Sequence, residues 1–224
     1  MKDVSSLVLF LLPMLVSAPL SQGQDLSKYR NFAYGMSLVE VSGHFDSQPI
    51  QAKLIHKRPV AIQELTWWPK DSSGNSLQTD SVRQIFFSFY NGELYRILVT
   101  YDRHATHGLI AEDLIQAVST HFGTATRPAV EISFSTNELY RATEKVIARW
   151  EDSQYSINLV RCKLLNSFAL VMFSKQLDAQ AEAAIAESAK LDKQRLPQRE
   201  VDRRKKTADD LELTRQRNKK SFRP

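Results

Sequence analysis

The sequence predicts an α+β fold: a largely antiparallel sheet with packed helices, then a long C-terminal helix and a basic charged tail. Three stretches carry that prediction. Val82 to Asp102 is two β-branched and aromatic runs joined by Asn91-Gly92, the pair that supplies both positive-φ residues of a type I′ hairpin turn. Gly108 to Phe122 puts Ile110, Leu114, Val118 and Phe122 on one helical stripe and closes at Gly123. Gln176 to Leu196 is alanine-rich, with Leu177, Ala181, Ala184, Ile185, Ser188 and Leu191 at helical spacing.

Composition bounds the rest. The 224 residues are 42% hydrophobic and 25% charged, enough to bury a core in one compact body with room for appendages. The net charge of +5 is unevenly placed: basic residues outnumber acidic ones about two to one from Lys190 to Pro224, and the body before them is close to neutral. Cys162 is the only cysteine, which excludes an intrachain disulfide, a CxxC pair and a multi-cysteine zinc site. It lies in the strand-like run Asn158 to Cys162 and reads as a buried structural thiol.

Taken in order, the chain starts with Met1-Lys2-Asp3, an apolar run centred on Leu7 to Leu12, and small or polar residues at Ser17-Ala18 and Ser21-Gln22-Gly23. Residues 1–23 read as a secretory signal peptide, with an apolar core too short to cross about 30 Å of hydrocarbon comfortably. An uncleaved anchor is the alternative. No cysteine lies there to carry a lipid. The expected location is exported, periplasmic or secreted, with no transmembrane span in the mature chain.

Residues 24–174 are expected to form the α+β body. Ser37 is placed to cap a short helix bearing Leu38 and Val41 that ends at His44-Phe45. Pro59 to Trp68 alternates as a strand, and Pro69 to Asp80 is a loop. In the hairpin a two-residue turn pairs Tyr90 with Glu93, Phe89 with Leu94, Ser88 with Tyr95, Phe87 with Arg96, Phe86 with Ile97 and Ile85 with Leu98. One face then carries Ile85, Phe87, Phe89, Leu94 and Leu98 and is expected to be core, with Ile85, Phe89, Leu94 and Leu98 packed on Leu114 and Val118. The other carries Phe86, Ser88, Tyr90, Tyr95, Ile97, Val99 and Tyr101. Neither face is polar, so both are expected to be covered, one by helices and the other by further chain or by a partner. Asp102 to His107 is a linker and Asn137 to Arg141 a short helical turn. Glu144 to Trp150, Gln154 to Cys162 and Ser167 to Ser174 read as strands, with turns at Asp152-Ser153 and Lys163 to Asn166. Residues 175–224 form the C-terminal helix and tail. Pro197 is expected to interrupt the helix, and Arg199 to Arg217, with almost no apolar stripe, reads as solvated helix or disorder.

The pieces recur in the same order. Gly35-Met36-Ser37 opens a helix, a strand ends at Trp67-Trp68 and a hairpin follows; Gly108-Leu109 opens a helix, a strand ends at Trp150 and a hairpin follows. Divergent repeats over 34–102 and 107–174 are one reading, chance similarity the other. The Gly-Met-Ser helix, the Trp-ended strand and Phe89-x-Asn91-Gly92-x-Leu94-x-x-Ile97 resemble the SmpA/OmlA-type outer-membrane lipoprotein domains and the related β-lactamase-inhibitor-protein fold. The whole chain also resembles uncharacterised secreted bacterial proteins. The resemblance implies helix-plus-sheet modules, often in tandem, that bind other proteins without catalysis. This chain departs from the lipoproteins in lacking the lipid-bearing cysteine.

No catalytic or cofactor motif stands out: there is no Gly-rich phosphate loop, nucleophile elbow or H-E-x-x-H. His104 and His107 beside Asp102 are two imidazoles and a carboxylate with no third histidine nearby, so solvated loop residues are expected rather than a metal site. His44 and His121 end helical stripes, and Glu112-Asp113 suits the positive end of a helix dipole. The expected function is a non-catalytic protein-binding or scaffolding module of the bacterial cell envelope, without a cofactor. The alternative is a hydrolase or metal-dependent enzyme with scattered site residues.

The candidate partner-binding residues are Trp67, Trp68, Phe86, Tyr90, Tyr95 and Tyr101, aromatic anchors for an envelope protein of unknown identity. The competing reading has the helix from Gln176 lying across that face and burying it. Arg203, Arg204, Lys205 and Lys206 are the candidate contact to an anionic surface, with a merely solubilising tail as the alternative. Nucleic acid is not expected as a partner, because the tail has only Phe222 for base stacking and the chain reads as exported.

Overall fold

The computed structural model describes residues 25–45, 52–69, 81–137, 140–162 and 167–223. The signal-like segment, the loop expected after Pro69 and the turn from Lys163 to Asn166 lie outside the described residues.

Hydrogen bonding joins eight strands into one antiparallel sheet: β3 (Lys53–His56), β4 (Ile62–Trp67), β5 (Val82–Tyr90), β6 (Glu93–Tyr101), β7 (Glu131–Asn137), β8 (Tyr140–Glu151), β9 (Tyr155–Cys162) and β10 (Ser167–Ser174). A small hairpin, β1 (Lys28–Tyr29) and β2 (Phe32–Ala33), precedes them. Among the described residues three helices accompany the strands: α1 (Leu38–Ser42), α2 (Ala111–Phe122) and α3 (Lys175–Ser221). The spatial order β3-β4-β5-β6-β10-β9-β8-β7 is mirrored about its middle, each half following a short helix and ending on a strand that meets the other half.

Local chemistry accounts for the helix ends. Ser37 caps α1 through a reciprocal capping box, its hydroxyl accepting from Glu40 N at 3.2 Å while Glu40 Oε2 accepts from Ser37 N at 2.7 Å. Gly123, at φ +81°, ends α2 as expected. Its carbonyl accepts from Trp150 Nε1 at 2.8 Å, which ties the end of α2 to β8.

α1, α2 and the small hairpin cover one face of the sheet. The core there takes Ile85, Phe87, Phe89, Leu94, Leu114, Val118, Trp150 and Leu170. The expected register holds next to the turn, with Tyr90 opposite Glu93 and Phe89 opposite Leu94. Beyond it the register departs from expectation: Ser88 meets Arg96, Phe87 meets Ile97 and Phe86 meets Leu98, so Tyr95 is an extra residue in a β-bulge. The bulge exchanges the faces of everything after it. Ile97, Val99 and Tyr101 turn to the α1/α2 side, and Leu98 joins Phe86, Val160, Ala169 and Val171 on the opposite side.

That second face is covered as well. The first part of α3 lies over it through the expected stripe, with Leu177, Ala181 and Ile185 packed on Ile55, Ile62, Tyr90 and Tyr95. The rest is closed by the β7–β8 hairpin, because β8 pairs with β7 through its first half and with β9 through its second. Phe134 of β7 is buried with Phe86 of β5, several strand spacings of ~4.8 Å away in the sheet order, so the hairpin folds back over the sheet.

Three other expectations are corrected. Where a helical turn was expected from Asn137 to Arg141, Asn137 ends β7 and Tyr140 begins β8, paired opposite one another; 138–139 lie outside the described residues. The edge strands β3 and β7 were not expected. α3 runs its 47 residues through Pro197, where an interruption was expected. A proline forfeits one backbone bond, and the uninterrupted run of strong helix formers on both sides carries the helix across it.

Phe87 is fully buried, 4.6 Å from the Phe32 ring and 5.9 Å from Phe45. Phe87→Ala is expected to lower the free energy of unfolding by about 3–5 kcal/mol in urea titrations.

Candidate functional site

The strongest concentration of charge and aromatic chemistry sits where α3 leaves the body. Arg96, only 9% exposed, extends from the bulged strand to α3: its Nη2 is 2.6 Å from Asp178 Oδ1 and 3.3 Å from Glu182 Oε1. Nη1 donates to Ser133 O of the folded-back hairpin at 3.4 Å. The guanidinium also lies 5.8 Å from the ring centroids of Tyr95 and Phe173. Burial works against its charge, but Asp178, Tyr95 and Glu182 outweigh that and hold its pKa above the ordinary arginine value. Burial, reinforced by Asp178, Glu182 and Glu64 and opposed by Arg96, pushes the Tyr95 phenol up to about 12.

The six aromatic candidates do not share a face. Tyr95, 3% exposed, and Tyr90 lie beneath α3, so the tyrosine-rich face is covered by the helix from Gln176. Phe86 is buried beside them in the core closed by the β7–β8 hairpin. The bulge sends Tyr101 to the opposite side, where Trp67 also packs, stacked 5.0 Å from Phe45. Trp68 alone of the six is exposed, at 56%.

The basic candidates lie far from that root. From Asp192 to Arg223 every residue of α3 and its cap is exposed except half-buried Glu200. Arg203 and Arg204 both reach Glu200, at 2.9 and 3.0 Å, whereas Lys205 and Lys206 have no acidic partner among the described residues. At ~1.5 Å per residue this exposed helix is about 45 Å long, an arm rather than part of the core.

Sequence reasoning missed a cleft of about 630 Å³ between α2, the β1–β2 hairpin and the ends of β5 and β6. Tyr29, Val82, Tyr101, Leu114, Val118 and Phe122 wall it, and Lys28 and His121 bring polar groups to it. Its chemistry suits apolar binding. Asp25, also in the wall, is engaged by the Ser27 hydroxyl and by Lys28 at 3.1 Å, contacts that hold its carboxyl below the usual range. The histidine linker is organised for turn formation: Asp102 Oδ1 accepts from His104 N at 2.8 Å and Ala105 N at 3.2 Å, and both imidazoles are exposed. Among the described residues no three His, Cys, Asp or Glu side chains gather to hold a metal, and no helix is long and apolar enough to cross a membrane.

These features define an α+β body with a buried ionic anchor and a protruding basic helix. Compared with protein-family models, curated proteins and solved structures, the chain matches none.

Asp178→Asn leaves Arg96 buried with half of its counter-charge. It is expected to cost about 3 kcal/mol in urea unfolding and to expose the start of α3 to protease. The raised phenol has its own pH signature. Tyr95 keeps its proton in the folded state, so its contribution is complete below the ordinary tyrosine value near ~10 and is lost as pH rises through about 12. Tyr95→Phe is expected to flatten the fall in stability between those limits, measured as unfolding free energy against pH.

Proposed function

We propose that the chain is a non-catalytic binding or scaffolding module of the bacterial cell envelope, in which the α+β body holds a basic helical arm out to an anionic partner. The observation that carries this reading is the contrast along α3. Its root buries Ala181, Ala184 and Ser188 against the body, and from Asp192 onward it has no buried side chain. A helix polar all round gains nothing from its own core, so its length serves reach or contact. Arg203, Arg204, Lys205 and Lys206 cluster near the middle of that exposed length, two of them without an acidic partner among the described residues.

The mirrored strand order supports a divergent duplication over 34–102 and 107–174, as in the tandem modules that the sequence resembles. In this reading Trp68 is the body's aromatic contact, and residues 1–23 deliver the chain to the envelope.

Sedimentation of the full chain with vesicles containing anionic lipid tests the arm. Replacing all four basic residues by glutamine is expected to weaken binding by roughly 1,000-fold, given ~1 kcal/mol per basic residue near an anionic surface. Raising the salt should release the unaltered protein in the same way. Binding that survives both changes would sink the proposal.

A further inference from the structure

On leaving β6 the linker brings Arg103, His107 and Gly108 against Arg161, Ser167 and Phe168 of β9 and β10, around a pocket of about 280 Å³. The α3 arm takes no part in it. Among the described residues no carboxylate lines it. Asp102, the nearest acid in sequence, aims one oxygen at the amides of its own turn. Neither Arg103 nor Arg161 pairs with an acid among the described residues. Arg161 is instead steadied by the Phe168 ring, 5.4 Å from its guanidinium carbon, a contact that orients a cation without neutralising it. Ser167 is 7% exposed, and its hydroxyl has no partner among the described residues. A buried hydroxyl left unbonded is costly, and a ligand oxygen in the pocket would satisfy it.

We propose that this pocket binds a phosphomonoester. Two guanidinium forks, an imidazole and a hydroxyl can donate to one group from several directions. A tetrahedral dianion accepts from all of them, whereas a planar carboxylate is served by a single fork. The volume exceeds that of a bare phosphate, leaving room for a small organic substituent against Leu109, which also lines the pocket. That substituent belongs either to a soluble metabolite or to a lipid headgroup; the recognised chemistry is the same.

The test titrates the full chain with glycerol 3-phosphate by calorimetry, and follows the His107 and Gly108 amide resonances. One-site saturation is expected. Arg103→Gln and Arg161→Gln should each weaken it roughly 10-fold or more. Both side chains are exposed, so the variants should melt like the parent protein. Replacing Arg203, Arg204, Lys205 and Lys206 by glutamine should leave this binding unchanged, which separates the pocket from the arm. Saturation by the soluble ester without capture on phosphatidic acid vesicles assigns a metabolite. Vesicle capture that Arg161→Gln abolishes and the arm variant retains assigns a headgroup. Failure to saturate, indifference to both arginine substitutions, or equal competition by acetate would overturn the proposal.

Discussion

The arrangement of this protein depends on one buried cation. Arg96 ties the centre of the sheet to α3 through Asp178 and Glu182, and to the folded-back hairpin through Ser133. In a regular strand Leu94 and Arg96 would point the same way, and the guanidinium would enter the apolar core beneath α1 and α2. The bulge at Tyr95 removes that conflict: two successive side chains turn toward α3, and Ile97 and Val99 resume the apolar side. A buried ion pair contributes little to net stability compared with a well-packed apolar replacement. Its effect here is to select one placement of a helix whose other contacts with the sheet, through Leu177, Ala181 and Ile185, are apolar and non-directional.

This also marks how far the sequence can be read. Asn91-Gly92, the Ser37 and Glu40 cap, and the Leu114 and Val118 stripe are local patterns, and each forms where the pattern lies. The bulge is different. It answers to Asp178 and Glu182, which are 82 and 86 residues beyond Arg96 along the chain, and nothing near Tyr95 announces them. The edge strand β3, Lys53-Leu-Ile-His56, has no alternation of its own and is defined by the neighbour it pairs with, whereas β7 does alternate, with Ile132 and Phe134 set between polar residues, a local signal that was legible. The basic cluster from Arg203 to Lys206 was visible because it is contiguous, whereas Arg103 and Arg161 meet only through the fold.

The mirrored order has a cost that the edges bear. β6 and β10 meet in the middle, so the first strand of each half, β3 and β7, is left with one neighbour. β3 is four residues long and begins at Lys53, and β7 begins at Glu131. Shortness and charge both discourage a further strand from adding to an edge. On β7 the fold-back over the second face changes the direction of the edge as well.

α3 follows β10 without a loop, Ser174 ending the strand and Lys175 beginning the helix. Lys175 is bound on the spot, its amide donating to Gln154 O at 2.8 Å and its ammonium to Asp152 O at 2.7 Å. The helix is therefore a lever rooted in a central strand that is hydrogen-bonded on both sides, to β6 and β9. A load applied at the far end meets the contacts of Ser188, Ile185 and Ala184 first and the Arg96 anchor next, as a peeling force on a few contacts. Only after that gives way does it reach β10, whose two ladders resist in parallel. The joint is thus built to yield in two stages, the helix lifting from its seat well before the sheet is opened.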